Sequence, residues 1–551
     1  MANIFEKFPM SKLSNLIGEE NLESIREIIN ITGTDNIDPQ EMYSQSFLAK
    51  VVKQNIGSSF IRNKEKMREL IDVHNPNEIK EIIDLLGITA QTDRNSNIAE
   101  IIRLMSQKKH QATLSNHWDI PVFEESDSDK EKIDDIQIPR SEIPYKPLKD
   151  YQFEVLFKAL NNLEHNNSRF ILQMPTGSGK TRTAIEVIAH FLNTYKDSSV
   201  IWLAHSTELC DQAAECFLEV LPHIATEDVN FKRHYGPHFK IGSLKDGQKI
   251  DFLCAGFQST YSSIKRDPDS LNKHLNKHRL IVVDEAHKAT AETYNKGIKS
   301  FFNNQSKVMG LTATPGRSFN QLNSIEENKK LTEFFFDEIV SFKPPEGKSA
   351  IAYLRDKKIL AQAKLEVLKT EKSRTLTPLE LTKISEELEI PRKILVEIGK
   401  DNLRNAEIIL KIEKLVKERE YKSIIYFATS LEQSRLISQL LSFKGIKSIH
   451  IDGGTPSIIR EQGIKQFRNQ EVEVLCNYEV LATGFDAPLV DCVFIARPTA
   501  SVILYSQMIG RGLRGPEIGG KKKCLIVNVR DNFTNFPSIE NMYEVFKDYW
   551  V

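Results

Sequence analysis

The chain has 551 residues, too many for one hydrophobic core, and suits roughly three or four domains of about 150 residues each. Hydrophobic residues at 40% and charged residues at 27% are those of an ordinary soluble globular chain. A formal net charge of −1 excludes a globally basic surface, so any polyanion must be met by a local positive groove.

The six cysteines (Cys210, Cys216, Cys254, Cys476, Cys492 and Cys524) form no CxxC pair, and most sit in apolar runs. They read as reduced core residues rather than metal ligands or disulfides. The start, MANIFEKFPMSKL, has no apolar signal core, and no run approaches the ~20 apolar residues of a membrane span. A cytoplasmic chain with no membrane partner is expected.

Residues 1–123 read as a mainly α-helical accessory or docking domain. Asn75 can cap a helix that Pro76 opens and Gly87 ends, with Ile79, Ile82, Ile83 and Leu86 forming one apolar stripe. Leu22, Ile25, Ile28 and Ile29 suggest a second. No catalytic cluster appears here, which leaves a protein effector as a candidate partner of this domain. Residues 124–143 are expected to be an acidic linker, from the run EESDSDKEKIDD.

From about Tyr145 short apolar runs alternate with helical ones: FILQM, VIWLAH, DFLCAG, RLIVVD and KVMGLT. That alternation marks a parallel sheet flanked by helices. It pauses over 341–403, a Lys- and Glu-rich stretch expected to be a helical connector, and resumes in SIIYFAT, IKSIHI, VEVLCN, DCVFIA and KCLIVN. The expected architecture is two α/β lobes, 144–340 and 404–535, with a helical tail over 536–551 that leaves no room for a further large domain.

Between the first apolar run and the helix after it lies MPTGSGKT. Gly177 and Gly179 let the backbone wrap phosphate oxygens, Thr176 and Ser178 complete the loop, and Lys180 brings a point charge to the β- and γ-phosphates. Thr181 offers a hydroxyl to Mg²⁺. The strict pattern has glycine five residues before Gly179, where this chain has Met174. About a hundred residues on, Asp284 and Glu285 follow an apolar strand, at the ligand edge of an open α/β sheet. Asp284 would hold Mg²⁺ and Glu285 would activate the attacking water.

MPTGSGKT, VVDEAH, LTATPGR, YEVLATGFDAPLVD and SQMIGRGLRG, in that order, resemble motifs I, II, III, V and VI of the superfamily 2 DEAD/DEAH-box helicases. The resemblance spans about Pro147 to Val529 and implies two tandem RecA-like domains that hydrolyse ATP, with Mg²⁺, on nucleic acid. By the same resemblance Gln152 contacts adenine, and His205, Thr207 (in place of a frequent Arg) and Gln258 lie on strand-contacting segments. His287, Thr312 and Thr314 couple nucleotide state to domain movement, and Phe427 marks motif IV. Thr483, Gly484 and Asp486 lie between nucleic acid and nucleotide. Arg511 and Arg514 become arginine fingers from the second lobe, with Gln507 one turn earlier in the same cleft. Gln507 in motif VI, TATPGR and His287 are more similar to DNA-directed members, such as restriction-enzyme motor subunits and RadD-like helicases. DNA is therefore preferred to RNA as the partner, in defence, restriction or repair.

Two other signals are set aside. His274 and His278 are expected on a solvated basic helix, with no third ligand for zinc, and Lys521–Lys523 in a solvated turn.

Overall fold

The computed structural model describes residues 3–33, 40–105, 107–120, 135–143, 145–165, 168–236, 247–267, 271–289, 292–313, 329–331, 333–387, 389–419, 421–455, 457–481, 487 and 489–534. Among them no helix is long and apolar enough to cross a membrane.

The helix Pro76–Leu86 forms as its residues dictate. Asn75 accepts from the backbone N–H of Asn77 and Glu78, and Glu78 accepts in return from the Asn75 N–H at 2.8 Å. This satisfies donors that the first turn leaves open. Gly87 ends the helix in the left-handed region, and all four stripe residues are buried. Each such isoleucine or leucine contributes about 1.5–3 kcal/mol of burial. Leu22, Ile25, Ile28 and Ile29 are buried likewise on Glu19–Thr32.

The first lobe is an eight-stranded sheet of β1 (Asp135–Ile138), β2 (Arg169–Gln173), β3 (Ser198–Ala204), β4 (Val229–His234), β5 (Phe252–Gly256), β6 (His278–Asp284), β7 (Ser306–Thr312) and β8 (Ile339–Val340). Their order is β1-β4-β5-β3-β6-β7-β2-β8, parallel except for β1 against β4. β3 and β7 are buried along their whole length, as strands covered by helices on both faces must be. Register fixes the later chemistry: Gln173 pairs with Thr312, and Asp284 with Leu311. The ends of β2 and β6 therefore flank β7 on one edge of the sheet.

The second lobe is a six-stranded parallel sheet of β9 (Gln362–Thr375), β10 (Ile424–Phe427), β11 (Ser448–Ile451), β12 (Val474–Asn477), β13 (Cys492–Ile495) and β14 (Lys523–Thr534), ordered β11-β12-β10-β13-β14-β9. β9 interrupts the helical connector expected over 341–403, which otherwise forms helices at Ala350–Asp356, Pro378–Glu387 and Arg392–Gly399. Its charged residues suit an edge strand with only one neighbour, and mimic a solvated helix in composition. β1 likewise falls inside the expected acidic linker. His274 and His278 do not share a helix: His274 is buried and bonded through Nδ1 to the Gln248 carbonyl at 2.9 Å, and His278 opens β6.

The helical N-terminal unit packs on the second lobe, although the first follows it in sequence. Glu19–Thr32 lies against the helix Asn402–Lys417, and Gln45–Arg62 against Leu431–Phe443. Phe47 stacks on Phe443 with ring centres 5.4 Å apart. Lys400 pairs with Glu20 at 2.6 Å, and the Lys444 ammonium donates to the Gly33 carbonyl at 2.7 Å. One apolar cluster runs from the N-terminal helices into the second sheet.

Candidate active site

The phosphate loop joins β2 to the helix Lys180–Thr194. Gly179 holds φ +85°, a backbone shape that favours glycine, and a Cβ there would stand 2.5 Å from Gln152 Nε2 and displace that side chain. Gln152 donates to the Gly179 carbonyl at 3.4 Å and accepts from the Lys149 N–H at 3.0 Å. The neighbouring Tyr151 hydroxyl donates to the Ser178 carbonyl at 2.7 Å. The helix bearing Gln152 is thus tied to the loop at two points. Met174, where the strict pattern has glycine, is a fully buried core residue.

Lys180 opens its helix and faces the acidic pair, with Nζ 3.9 Å from Asp284 Oδ1 and 4.0 Å from Glu285 Oε1. Asp284 ends β6 and accepts from the Glu285 N–H at 3.0 Å. Glu285 is held at φ +56°, a left-handed backbone that costs a non-glycine residue on the order of 1 kcal/mol. Burial pushes the Asp284 carboxyl up to about 6, against the pull of Lys180 and with the push of Glu285. Burial acts the same way on Glu285, but Lys180, His287, Gln507 and His205 outweigh it and hold it well below the usual carboxylate range.

His287 lies beside it on a short 3-10 turn, buried, with Nδ1 3.3 Å from Glu285 Oε2. From the other lobe comes the helix Val502–Gly510, capped by Ser501, whose hydroxyl accepts from the Leu504 N–H. Gln507 on this helix donates from Nε2 to Glu285 Oε1 at 3.2 Å. Ser506 meets Thr176 of the phosphate loop, hydroxyl to hydroxyl, at 3.2 Å. Arg511 follows the helix; burial lowers its guanidinium to about 10 while Glu285 opposes the shift. Arg514 is lowered to about 10 by burial and then by Arg468. Both stay cationic at neutral pH. An exposed ion pair, Lys149 with Glu517 at 2.8 Å, joins the lobes at the rim.

The structure thus brings Gln152, the loop from Thr176 to Lys180, Asp284, Glu285, His287, Gln507 and Arg511 to one cleft. Thr312 ends β7 between β2 and β6, buried, and its carbonyl accepts from the Met174 N–H. Thr181 is the second residue of the helix that Lys180 opens. His205 and Thr207 lie just after β3, and Gln258 is exposed at the start of Phe257–Arg266. Phe427 does not join the site: it is a core residue at the end of β10, buried at 3% exposure. Thr314, Thr483, Gly484 and Asp486 lie outside the described residues. Sequence reasoning missed Ser506, Tyr151 and the Lys149–Glu517 pair. Nothing in their residue types marks them, because each acts through a partner distant in sequence.

The two sheets, with a phosphate loop on one and an arginine-bearing helix from the other, define the tandem RecA-like helicase class. The family described as "Type III restriction enzyme, res subunit" matches residues 145–317, and the helicase conserved C-terminal domain matches 407–515. The IRC3 protein of Saccharomyces cerevisiae, a candidate ATP-dependent helicase by name, is 27% identical over 379 residues, covering 67% of this chain and 49% of that protein. The 51.5 kDa protein of a Lactococcus phage is 26% identical over 383 residues, 69% of each chain. The DNA-bound Type ISP restriction-modification enzyme LlaBIII shares the fold at a TM-score of 0.51 and 18% identity, over 74% of this chain and 30% of that one. The chain belongs to the superfamily 2 helicases and resembles restriction-enzyme motor subunits. It spans about half the length of the yeast relative.

Proposed function

We propose that the chain is a Mg²⁺- and ATP-dependent DNA helicase or translocase that hydrolyses ATP between its two lobes. The observation that carries this reading is the setting of Glu285, held by Lys180 from its own lobe and by Gln507 from the other. A base gripped from both sides turns over only when the lobes meet, which is how a motor links hydrolysis to movement.

In this mechanism Gln152 borders the adenine and the loop N–H groups and Lys180 hold the phosphates. Glu285 orients the attacking water and takes its proton. Arg511 and Arg514 neutralise charge spreading over the transferred phosphoryl group. Asp284 and Thr181 supply the carboxylate and hydroxyl oxygens that suit Mg²⁺, and the upward-shifted, buried Asp284 carboxyl fits a site built for a cation. Mg²⁺ held there would neutralise the phosphate oxygens.

The choice of DNA rests on Gln507 and TATPGR and on partial relatives named as ATP-dependent DNA helicases, such as mph1 of Sclerotinia sclerotiorum, 27% identical over 187 residues. A mouse relative named as the ATP-dependent RNA helicase DHX58, 29% identical over 177 residues, sets the alternative. Steady-state ATPase rates with single-stranded, duplex and forked DNA and with RNA, each at two salt concentrations, decide it. DNA stimulation that weakens with salt supports the reading; stimulation by RNA alone overturns it.

A second reading is favoured by the N-terminal unit sharing its core with the second lobe. The motor would then act as an ATP-controlled DNA sensor that passes lobe movement to an effector protein held by that unit. ATPase activity without strand displacement, and stable co-purification of an effector, would support it.

A further inference from the structure

One close approach between the lobes involves no charge. Thr176 sits in the phosphate loop with Oγ1 3.2 Å from Ser506 Oγ, and Ser506 is buried. One turn along the same helix face, Gly510 closes on the same threonine. A Cβ at position 510 would stand 2.1 Å from Thr176 Cγ2 and 3.1 Å from its Cβ. The obstructing atoms belong to a short side chain on a constrained loop, so no larger residue fits at 510 unless the loop or the helix retreats. Beside it, a Cβ at Gly177 would meet Leu360 Cδ2 at 3.3 Å and the Leu513 carbonyl at 3.8 Å. Arg511 follows Gly510 directly, and its N–H bonds back to the Met508 carbonyl at 3.2 Å, which fixes its base to the helix end.

We propose that Thr176, Ser506 and Gly510 form an interlobe socket that sets how far Arg511 reaches into the cleft. The inference rests on the reading of this cleft as the ATP site. Ser506 and Gly510 are positioning residues. The hydroxyl pair fixes the rotation of the helix on the loop, and the missing Cβ fixes its depth. Phosphates are gripped by first-lobe groups whether or not the socket is engaged. The socket therefore acts on turnover and not on nucleotide capture, since only the closed state brings the guanidinium to the phosphoryl group.

The test is a compensating pair, measured by steady-state ATPase kinetics with duplex DNA and RNA both present as activators. Gly510→Ala should lower kcat about tenfold or more and leave KM for ATP within about twofold. Thr176→Ser removes the obstructing Cγ2 and keeps the hydroxyl, so Gly510→Ala combined with Thr176→Ser should regain about threefold or more over Gly510→Ala alone. Ser506→Ala, which creates no clash, should lower kcat about threefold at unchanged KM and covers the case in which Gly510→Ala does not fold. A Gly510→Ala enzyme with wild-type kcat, a loss seen in KM alone, or a double variant no faster than the single one overturns the socket. Lys180→Ala separates this from the parent reading. If Lys180→Ala is inactive while Gly510→Ala is normal, only the socket fails; if Lys180→Ala turns over normally, the ATP site itself is misplaced.

Discussion

Gln507 donates to Glu285 at 3.2 Å across 222 positions of sequence and from the opposite lobe. The residue read as the hydrolytic base is thus fixed partly by a group that leaves whenever the cleft opens. This gives a physical route from domain position to catalytic competence.

The first prediction concerns the base. Glu285→Gln keeps the size of the side chain and removes the proton acceptor, so ATP and nucleic acid should still bind while kcat falls about a hundredfold or more. Single-turnover hydrolysis set beside a nucleotide-binding titration separates the two steps. A wild-type rate would mean that another group takes the proton.

The second concerns the cross-cleft bond. Gln507→Ala should lower kcat about tenfold to a hundredfold, as loss of a hydrogen bond to a charged group worth about 1.5–3 kcal/mol implies. Gln507→Glu should be slower still, because it sets a second carboxylate against Glu285. Equal rates for the two variants in steady-state assays would contradict a direct contact with a charged Glu285.

The third follows from the Asp284 carboxyl, pushed up to about 6 from an ordinary value near 3.8. A carboxyl raised on folding contributes stability at pH below its unfolded value and loses it as pH rises through the folded one. The ligand-free protein should therefore carry the full cost of this group above about pH 6. Asp284→Asn should raise Tm at pH 7.5 by a few degrees, at about 2–4 °C per kcal/mol relieved, and abolish turnover. The Tm difference should shrink toward pH 5. A variant that melts below the wild type at pH 7.5 would show that Asp284 stabilises the empty site.

The first-lobe residues that meet in this cleft were marked in the sequence, because they cluster in short segments whose strand–loop–helix context is local. The helix Pro76–Leu86 was legible for the same reason: Asn75, Glu78 and Gly87 carry its ends. Long-range pairing was not legible. Among the described residues β9 pairs only with β14, more than 150 positions later, and its many Lys and Glu residues read as a solvated helix. Phe427, read by resemblance as marking motif IV, is buried because the strand β10 sits between two neighbours and is buried throughout. Ser506 gains significance only when Thr176 is placed opposite.

A fourth prediction comes from the N-terminal unit. Its ties to the second lobe include buried Lys444, which donates to the Gly33 carbonyl and pairs with Glu413 at 2.8 Å, and the Phe47–Phe443 stack. With a protease site inserted between 124 and 134, the cut fragment 1–123 should stay with the rest of the chain in size-exclusion chromatography. Phe47→Ala, which removes a buried aromatic worth about 3–5 kcal/mol, should release it. Separation of the unmutated halves would contradict a shared core.

The most direct test of the central claim is ATP turnover by wild type and Lys180→Ala, side by side, with and without duplex DNA. The wild type should hydrolyse ATP faster on DNA, while Lys180→Ala should stay folded and show no turnover above background. A folded Lys180→Ala protein that hydrolyses ATP at the wild-type rate would contradict the site, and with it the motor built around it.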